Sequence, residues 1–246
     1  MKLLTSKVAL VTGAARRIGA EISRSLHDAG MNIVLHYHTS KTDALSLCDE
    51  LNQKRAHSAI TIQAALHESG CEKILVEKAV AEWGRLDVLV NNASRFYRSL
   101  LNEVTNEDWE DLINSNLRAP FFLAKAAAPA LSAVEGCIVN ITDIHGSKPL
   151  RDYAVYSISK SGLIMMTHAL ARELGSKVRV NAVSPGAILW PEGENVLPDE
   201  VKNKILAKTT LQRHGTPTDI ASAVLFFVRD AKFVSGQVLN VDGGRL

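Results

Sequence analysis

The chain has 246 residues, enough for one large α/β unit or two small ones, and its 46% apolar and 22% charged residues exclude a disordered chain. A formal net charge of +2 gives no electrostatic case for nucleic-acid or membrane partners. The cysteines Cys48, Cys71 and Cys137 form no C-x-x-C pair and have no histidine at metal spacing, which predicts free thiols in a reducing compartment and no metal site.

The opening M-K-L-L-T-S-K-V-A-L-V-T-G is broken by Lys7 and lacks a small-residue cleavage site, so it reads as the approach to a strand and not as a secretory signal. No run reaches the roughly 18 apolar residues of a membrane span, and the expected location is the cytoplasm. Short β-branched runs at 8–11, 32–37, 59–63, 86–90, 136–141, 178–183 and 237–241 alternate with segments of helical period at 18–29, 71–83, 109–131, 153–174 and 217–229. Several runs are apolar on successive residues, as strands covered on both faces are. Pro120 and Pro129 leave the end of the third helical segment undefined. The alternation predicts a single doubly wound Rossmann-type α/β domain over 1–246, with a parallel seven-stranded sheet and helices on both faces. Ligands of such sheets lie beyond the carboxyl ends of the strands.

After the first strand comes Thr12-Gly13-Ala14-Ala15-Arg16-Arg17-Ile18-Gly19 and then a helix. Glycines there let the backbone turn tightly against a pyrophosphate resting on the positive end of the helix. The spacing is not G-x-G-x-x-G, because Arg17 stands where a central glycine would be. The second strand ends in His36-Tyr37-His38-Thr39-Ser40-Lys41, with none of the acids that bond a ribose 2′-hydroxyl in NAD sites. Cations and hydroxyls suit a 2′-phosphate instead, so the expected cofactor is NADPH/NADP+. A solvated loop with Ser40 capping the next helix is the alternative.

Tyr156-Ser157-Ile158-Ser159-Lys160 places a phenol and an ammonium on one helix face. The ammonium is expected to favour the phenolate, lowering a pKa that starts near about 10 and making Tyr156 a proton donor and acceptor. Asn91-Asn92-Ala93-Ser94, Asp143 and Pro185-Gly186 follow strands four, five and six, and Asn116 lies in a helix.

Together with the closing Val234-Ser235-Gly236-Gln237 and Val241-Asp242-Gly243-Gly244, this set resembles the short-chain dehydrogenase/reductase superfamily over essentially the whole chain. Within it the residues look like those of the pteridine reductases. Arg17 matches their T-G-x-x-x-R-x-G turn, Asp143 replaces the usual serine 13 residues before the tyrosine, and Asn92-Ala93-Ser94-Arg95-Phe96-Tyr97 is similar to their substrate stretch. His36-Tyr37-His38 is similar to their cofactor-phosphate strand end.

The resemblance implies a reductase of pterins, dihydropterin to tetrahydropterin, with oxidised pterin or folate as further substrates. Tyr156, with Lys160 and Asp143, would deliver a proton while the nicotinamide gives its hydride. Lys160 would hold the nicotinamide ribose, Asn116 would anchor a water in the proton path, and Phe96 would stack on the flat pterin. Ser94 and Arg17 would bond the pterin edge or the cofactor phosphates. The cofactor would touch Gly13, Arg16, Arg17, Ile18 and Gly19 at the turn, Tyr37, His38, Thr39 and Ser40 at the rim, and Leu66 beneath the adenine. Further along it would meet Asn92, Ala93, Ser94, Tyr156, Lys160, Pro185, Gly186 and Ile188. Ala65 stands where these enzymes commonly carry an adenine-binding acid, leaving backbone near Leu66 for that contact. The segment 187–195 would be a substrate lid, in which Trp190 either closes the pocket or packs the loop. The resemblance further implies a homotetramer.

Three structural alternatives stay open at this point: Asp143 as a turn cap, Phe96 as core and Asn116 as an internal amide. Two functional alternatives stand beside the pterin reading. A reductase of ketones such as 3-oxoacyl thioesters would favour a serine at 143 and a glycine at 17. A non-catalytic NADP(H) sensor would have no use for a Tyr156/Lys160 pair.

Overall fold

The structure, a computed structural model, describes residues 4–68, 70–190 and 198–245. Seven strands form one sheet: β1 (Val8–Val11), β2 (Asn32–Tyr37), β3 (Ala59–Gln63), β4 (Val88–Asn91), β5 (Cys137–Ile141), β6 (Arg179–Pro185) and β7 (Val238–Val241). Their order is β3-β2-β1-β4-β5-β6-β7 and every pairing is parallel. Side chains alternate across the sheet, so Val8 and Leu10 of β1 enter one core while Ala9 and Val11 enter the other. All four are fully buried, which is why β1 reads as an unbroken apolar run.

One face is covered by α1 (Arg17–Asp28), α2 (Lys41–Lys54) and α8 (Pro217–Leu225). The other is covered by α3 (Cys71–Trp83), α5 (Ala119–Ala133) and α6 (Ala154–Glu173). Two further helices, α4 (Asn106–Ile113) and α7 (Asp199–Ala207), complete the set of α-helices of eight residues or more among the described residues. Neither α2 nor α7 stands out by its period: α2 buries only Ala44, Leu47 and Leu51, a narrow stripe, and α7 buries no side chain.

The segment read as one helix at 109–131 consists of α4, a widened π-helical turn at Asn114–Arg118, and α5. The first is started by a capping box in which Thr105 and Asp108 exchange bonds. Pro120 sits in the first turn of α5, where a missing N–H costs little, and Pro129 is carried inside it.

The chain order reverses between β1 and β4, which are neighbours in the sheet but joined through β2 and β3. A crevice opens at such a switch point, beyond the carboxyl ends of the strands. This places the turn after β1 opposite the segment after β4.

Candidate active site

The turn after β1 is shaped by two glycines. Gly13 has φ +60°, and a Cβ on Gly19 would lie 2.2 Å from the Gly13 carbonyl oxygen and 2.6 Å from Asn92 Nδ2. Asn92 locks this turn, its amide donating to the carbonyls of Thr12 (2.8 Å) and Gly13 (3.0 Å). Arg17 also adopts a left-handed φ of +54°, a conformation that favours glycine. The missing central glycine is therefore a backbone requirement met at some strain by an arginine. Helix α1 begins without a side-chain cap and without an acid in its first turn, leaving its N-terminal amides and partial positive charge to face an anion.

From this turn a cleft of about 430 Å³ runs across the ends of β1, β2 and β4. Its walls include Gly13, Arg16, Arg17, Ile18 and Gly19, then Tyr37, His38, Thr39, Ser40 and Leu66, then Asn92, Ala93 and Ser94. These expected cofactor residues meet in one place, although they come from four separate loops. Ser40 occupies the N-cap position of α2, but its hydroxyl does not cap the helix, so the capping alternative falls. Lys41 is exposed and outside the cleft wall, where Arg16, 3.7 Å from Asp43, and Arg17 supply the cations.

His36 differs from its neighbours. It is 2% exposed, its Nδ1 accepts from Gly13 N at 3.1 Å, and its Nε2 lies 3.1 Å from the Ala64 carbonyl oxygen, which it bonds as a donor. Burial lowers its pKa to about 4, so it stays neutral and braces the phosphate turn against the loop after β3.

The chemical centre lies at the end of β5. Tyr156 donates its hydroxyl to Asp143 Oδ2 at 2.8 Å, and the other carboxylate oxygen, Oδ1, accepts from the amide of His145, also at 2.8 Å. Asp143 is thus both the partner of the phenol and the cap of the short 3₁₀ turn Ile144–Gly146. Lys160 is 2% exposed; its Nζ donates to the Ile141 carbonyl at 3.1 Å and lies 5.7 Å from the Tyr156 ring centre.

The expected lowering of the Tyr156 pKa is overturned. Burial and the adjoining Asp143 carboxylate hold the phenol well above its ordinary value, while burial brings Lys160 down to about 8. In this arrangement Tyr156 is a protonated donor and not a phenolate.

Asn116 sits in the π-helical turn and is 1% exposed. Its Oδ1 accepts from Ser94 Oγ (3.1 Å) and Arg95 N (2.8 Å), and its Nδ2 donates to the Arg95 carbonyl and to Ser159 Oγ, both at 3.0 Å. With oxygen and nitrogen both engaged, the side chain cannot also anchor a water, so that expectation fails for the amide. Asn116 instead ties the loop after β4 to α6, the helix that carries Tyr156 and Lys160.

Phe96 is 43% exposed, which excludes the core alternative. It stacks on Tyr153 (4.7 Å between ring centres, 10° between planes) and meets Tyr156 edge-on (4.8 Å, 79°). One ring face is therefore already taken by Tyr153, which carried no signal in the sequence as an isolated tyrosine three before Tyr156.

Other expected residues lie away from this cleft. Ile188 is 4% exposed and faces a second cavity with Thr210, Arg213 and Asp242; like Pro185, Gly186, Tyr156 and Lys160, it does not line the cleft that runs from the phosphate turn. Gly186 is needed for close packing, since a Cβ there would stand 2.7 Å from Asp242 Cα. Trp190 packs against the His214 ring at 5.8 Å, and positions 191–195 of the expected lid lie outside the described residues. Arg95, expected in the substrate stretch, also lines the cleft, as do His67 and Ser115, which were missed. Among the described residues no group of three or more His, Cys, Asp or Glu could hold a metal, and no helix is long and apolar enough to cross a membrane.

A glycine-shaped phosphate turn at the switch point and, after β5, a buried Tyr-Lys pair on α6 are the features of a dehydrogenase or reductase working with a nicotinamide dinucleotide. The chain belongs to the short-chain dehydrogenase/reductase superfamily: residues 13–245 match the family described as enoyl-(acyl carrier protein) reductase. It is 37% identical to the 3-oxoacyl-(acyl-carrier-protein) reductase FabG of Staphylococcus aureus, over 97% of this chain and 98% of that protein. It is also 37% identical to pteridine reductase 1 of Leishmania tarentolae, over 98% and 96%. A crystal structure of a blue fluorescent protein from a metagenomic library, in complex with NADPH, superposes with a TM-score of 0.92 at 38% identity, covering 99% of both chains.

Proposed function

We propose that this oxidoreductase is an NADPH-dependent reductase of pterins, acting on dihydropterins and also on oxidised pterins or folate. The observation that carries the reading is the 2.8 Å bond between Tyr156 and the Asp143 carboxylate. In ketone reduction the carbonyl oxygen gains negative charge and is stabilised by donors; a carboxylate beside the phenol opposes that charge. A pterin ring presents amide and amino N–H groups, for which a carboxylate is a fitting acceptor, together with ring nitrogens that take up a proton.

NADPH, when bound, supplies the hydride. Gly13, Gly19 and the first turn of α1 would hold the pyrophosphate, Arg16, Arg17, His38, Thr39 and Ser40 would hold the 2′-phosphate end, and Lys160 would hold the nicotinamide ribose. Tyr156 would deliver the proton, with its hydroxyl aimed by the hydrogen bond to Asp143. Phe96, with Ser94 and Arg17, positions the flat substrate.

A 3-oxoacyl thioester reductase is the second reading, favoured by the equal similarity to FabG. NADPH oxidation measured over dihydropterins, dihydrofolate, oxidised pterins and a 3-oxoacyl thioester decides between them. Turnover of the thioester alone would replace the pterin reading, and turnover of none would favour a sensor. We further propose a homotetramer, supported by the exposed Phe121 and Phe122 on α5 and Ile158 and Met165 on α6, which light scattering would check.

A further inference from the structure

The rim of the dinucleotide cleft contains an imidazole pair that the phosphate-binding motif does not include. His67, in the loop after β3, meets His38 edge-on, with ring centres 5.5 Å apart and planes at 77°. Both rings are exposed and both line the cleft beside Thr39 and Ser40.

The loop bearing His67 is pinned to the end of β2. Ala64 N donates to the Tyr37 carbonyl at 3.1 Å, His36 bonds the Ala64 carbonyl at 3.1 Å, and Gln63 Nε2 donates to the His38 carbonyl at 2.9 Å. These bonds hold the start of the loop against the end of β2, so that the two imidazoles stand on neighbouring segments. Beneath them the buried Leu66 offers an apolar surface suited to a purine, and Ala65 gives no acid to bond it.

We propose that His67 is a specificity-determining residue: with His38 it forms a two-imidazole clamp on the 2′-phosphate of the dinucleotide. An imidazole keeps at least one N–H donor in either protonation state, so each ring can donate to a phosphate oxygen whether charged or neutral. A 2′-hydroxyl would leave that clamp without its anionic acceptor. The inference rests on the NADPH reading and deepens it, by moving part of the discrimination from the β2 end to the β3 loop.

The test uses the full chain and four probes: adenosine 2′,5′-bisphosphate and ADP in calorimetric titrations, and NADPH and NADH in steady-state assays. His67→Ala is expected to weaken the bisphosphate and to raise the NADPH KM by roughly tenfold, the worth of a hydrogen bond to a charged group, with ADP, NADH and kcat unchanged. His67→Gln, which keeps an N–H donor, is expected to restore part of the loss. An equal loss for both nucleotides would make His67 an adenine contact or a loop brace and overturn the proposal, as would no loss at all. If the wild-type protein does not distinguish NADPH from NADH, the NADPH reading falls with it; if it does and His67→Ala distinguishes them equally well, only the clamp falls.

Discussion

Tyr156 and Asp143 are joined by a 2.8 Å hydrogen bond, and the carboxylate that receives it is itself aimed by a second 2.8 Å bond from the amide of His145. The turn after β5 therefore orients the acceptor, and burial together with that acceptor holds the phenol's pKa up. Replacing Asp143 by Asn keeps a side-chain oxygen for the turn but removes the charge that, after burial, holds the Tyr156 pKa up. Turnover of a dihydropterin by Asp143→Asn is expected to fall by roughly a hundredfold, within the range of general acid–base effects. Asp143→Ala also loses the cap, at about 1 kcal/mol of stability in urea unfolding. Full activity in the Asn variant would remove Asp143 from the proton path.

Removing the donor separates chemistry from binding. Tyr156→Phe is expected to lower kcat by roughly a hundredfold or more and NADPH affinity, followed by nicotinamide fluorescence, far less. Retained turnover would assign the proton to another group.

Lys160 supplies a pH signature. Burial lowers its pKa to about 8, so the side chain is charged below that pH and neutral above it. If the ammonium holds the nicotinamide ribose, NADPH affinity weakens as pH rises through about 8, and Lys160→Met flattens the dependence. In the unliganded protein the sign for stability is opposite. The unfolded lysine keeps its proton up to about 10.4, so between about 8 and 10.4 the unfolded state binds more protons and stability rises with pH. A lysine that left both curves flat would not be titrating in that window.

Phe96 stacks on Tyr153 and leans on Tyr156 without being buried. Phe96→Ala is expected to raise the pterin KM about tenfold, the scale of one aromatic contact, and to leave NADPH binding alone. Tyr153→Ala is expected to raise the pterin KM in the same direction, because the stack that orients Phe96 is lost. An unchanged pterin KM in both variants would place the substrate elsewhere.

Arg17 holds a left-handed φ of +54° at the phosphate turn. Arg17→Gly relieves the strain and is expected to raise stability by up to about 1 kcal/mol while lowering NADPH affinity, a trade measurable by thermal unfolding and by titration. A variant that bound NADPH as tightly as the parent would show that the guanidinium has no part in holding the cofactor.

Strand–helix alternation, buried parallel strands, the glycine turn and the four-residue spacing of Tyr156 and Lys160 are local properties, and each was legible in the residues themselves. Helices with a narrow or absent apolar stripe, α2 and α7, were not legible, because period reports only what is buried. The grouping of His36 with His38 hid two different tasks: one ring is enclosed by its strand neighbours and braces the turn, the other faces the cleft.

The amino-acid order alone determined the fold class, the place of the glycine turn and the candidates for proton handling, since periodicity and spacing act over a few residues at a time. The tertiary structure decided the electrostatics: Asp143, 13 positions before Tyr156, reaches its hydroxyl, while Lys160, one helical turn away, bonds a strand carbonyl instead. It also spent the amide of Asn116 on a loop and set His67 beside His38. Protonation and hydrogen-bond partnership depend on burial and on distances between segments far apart in the chain, and those exist only once the sheet has brought its loops to one edge.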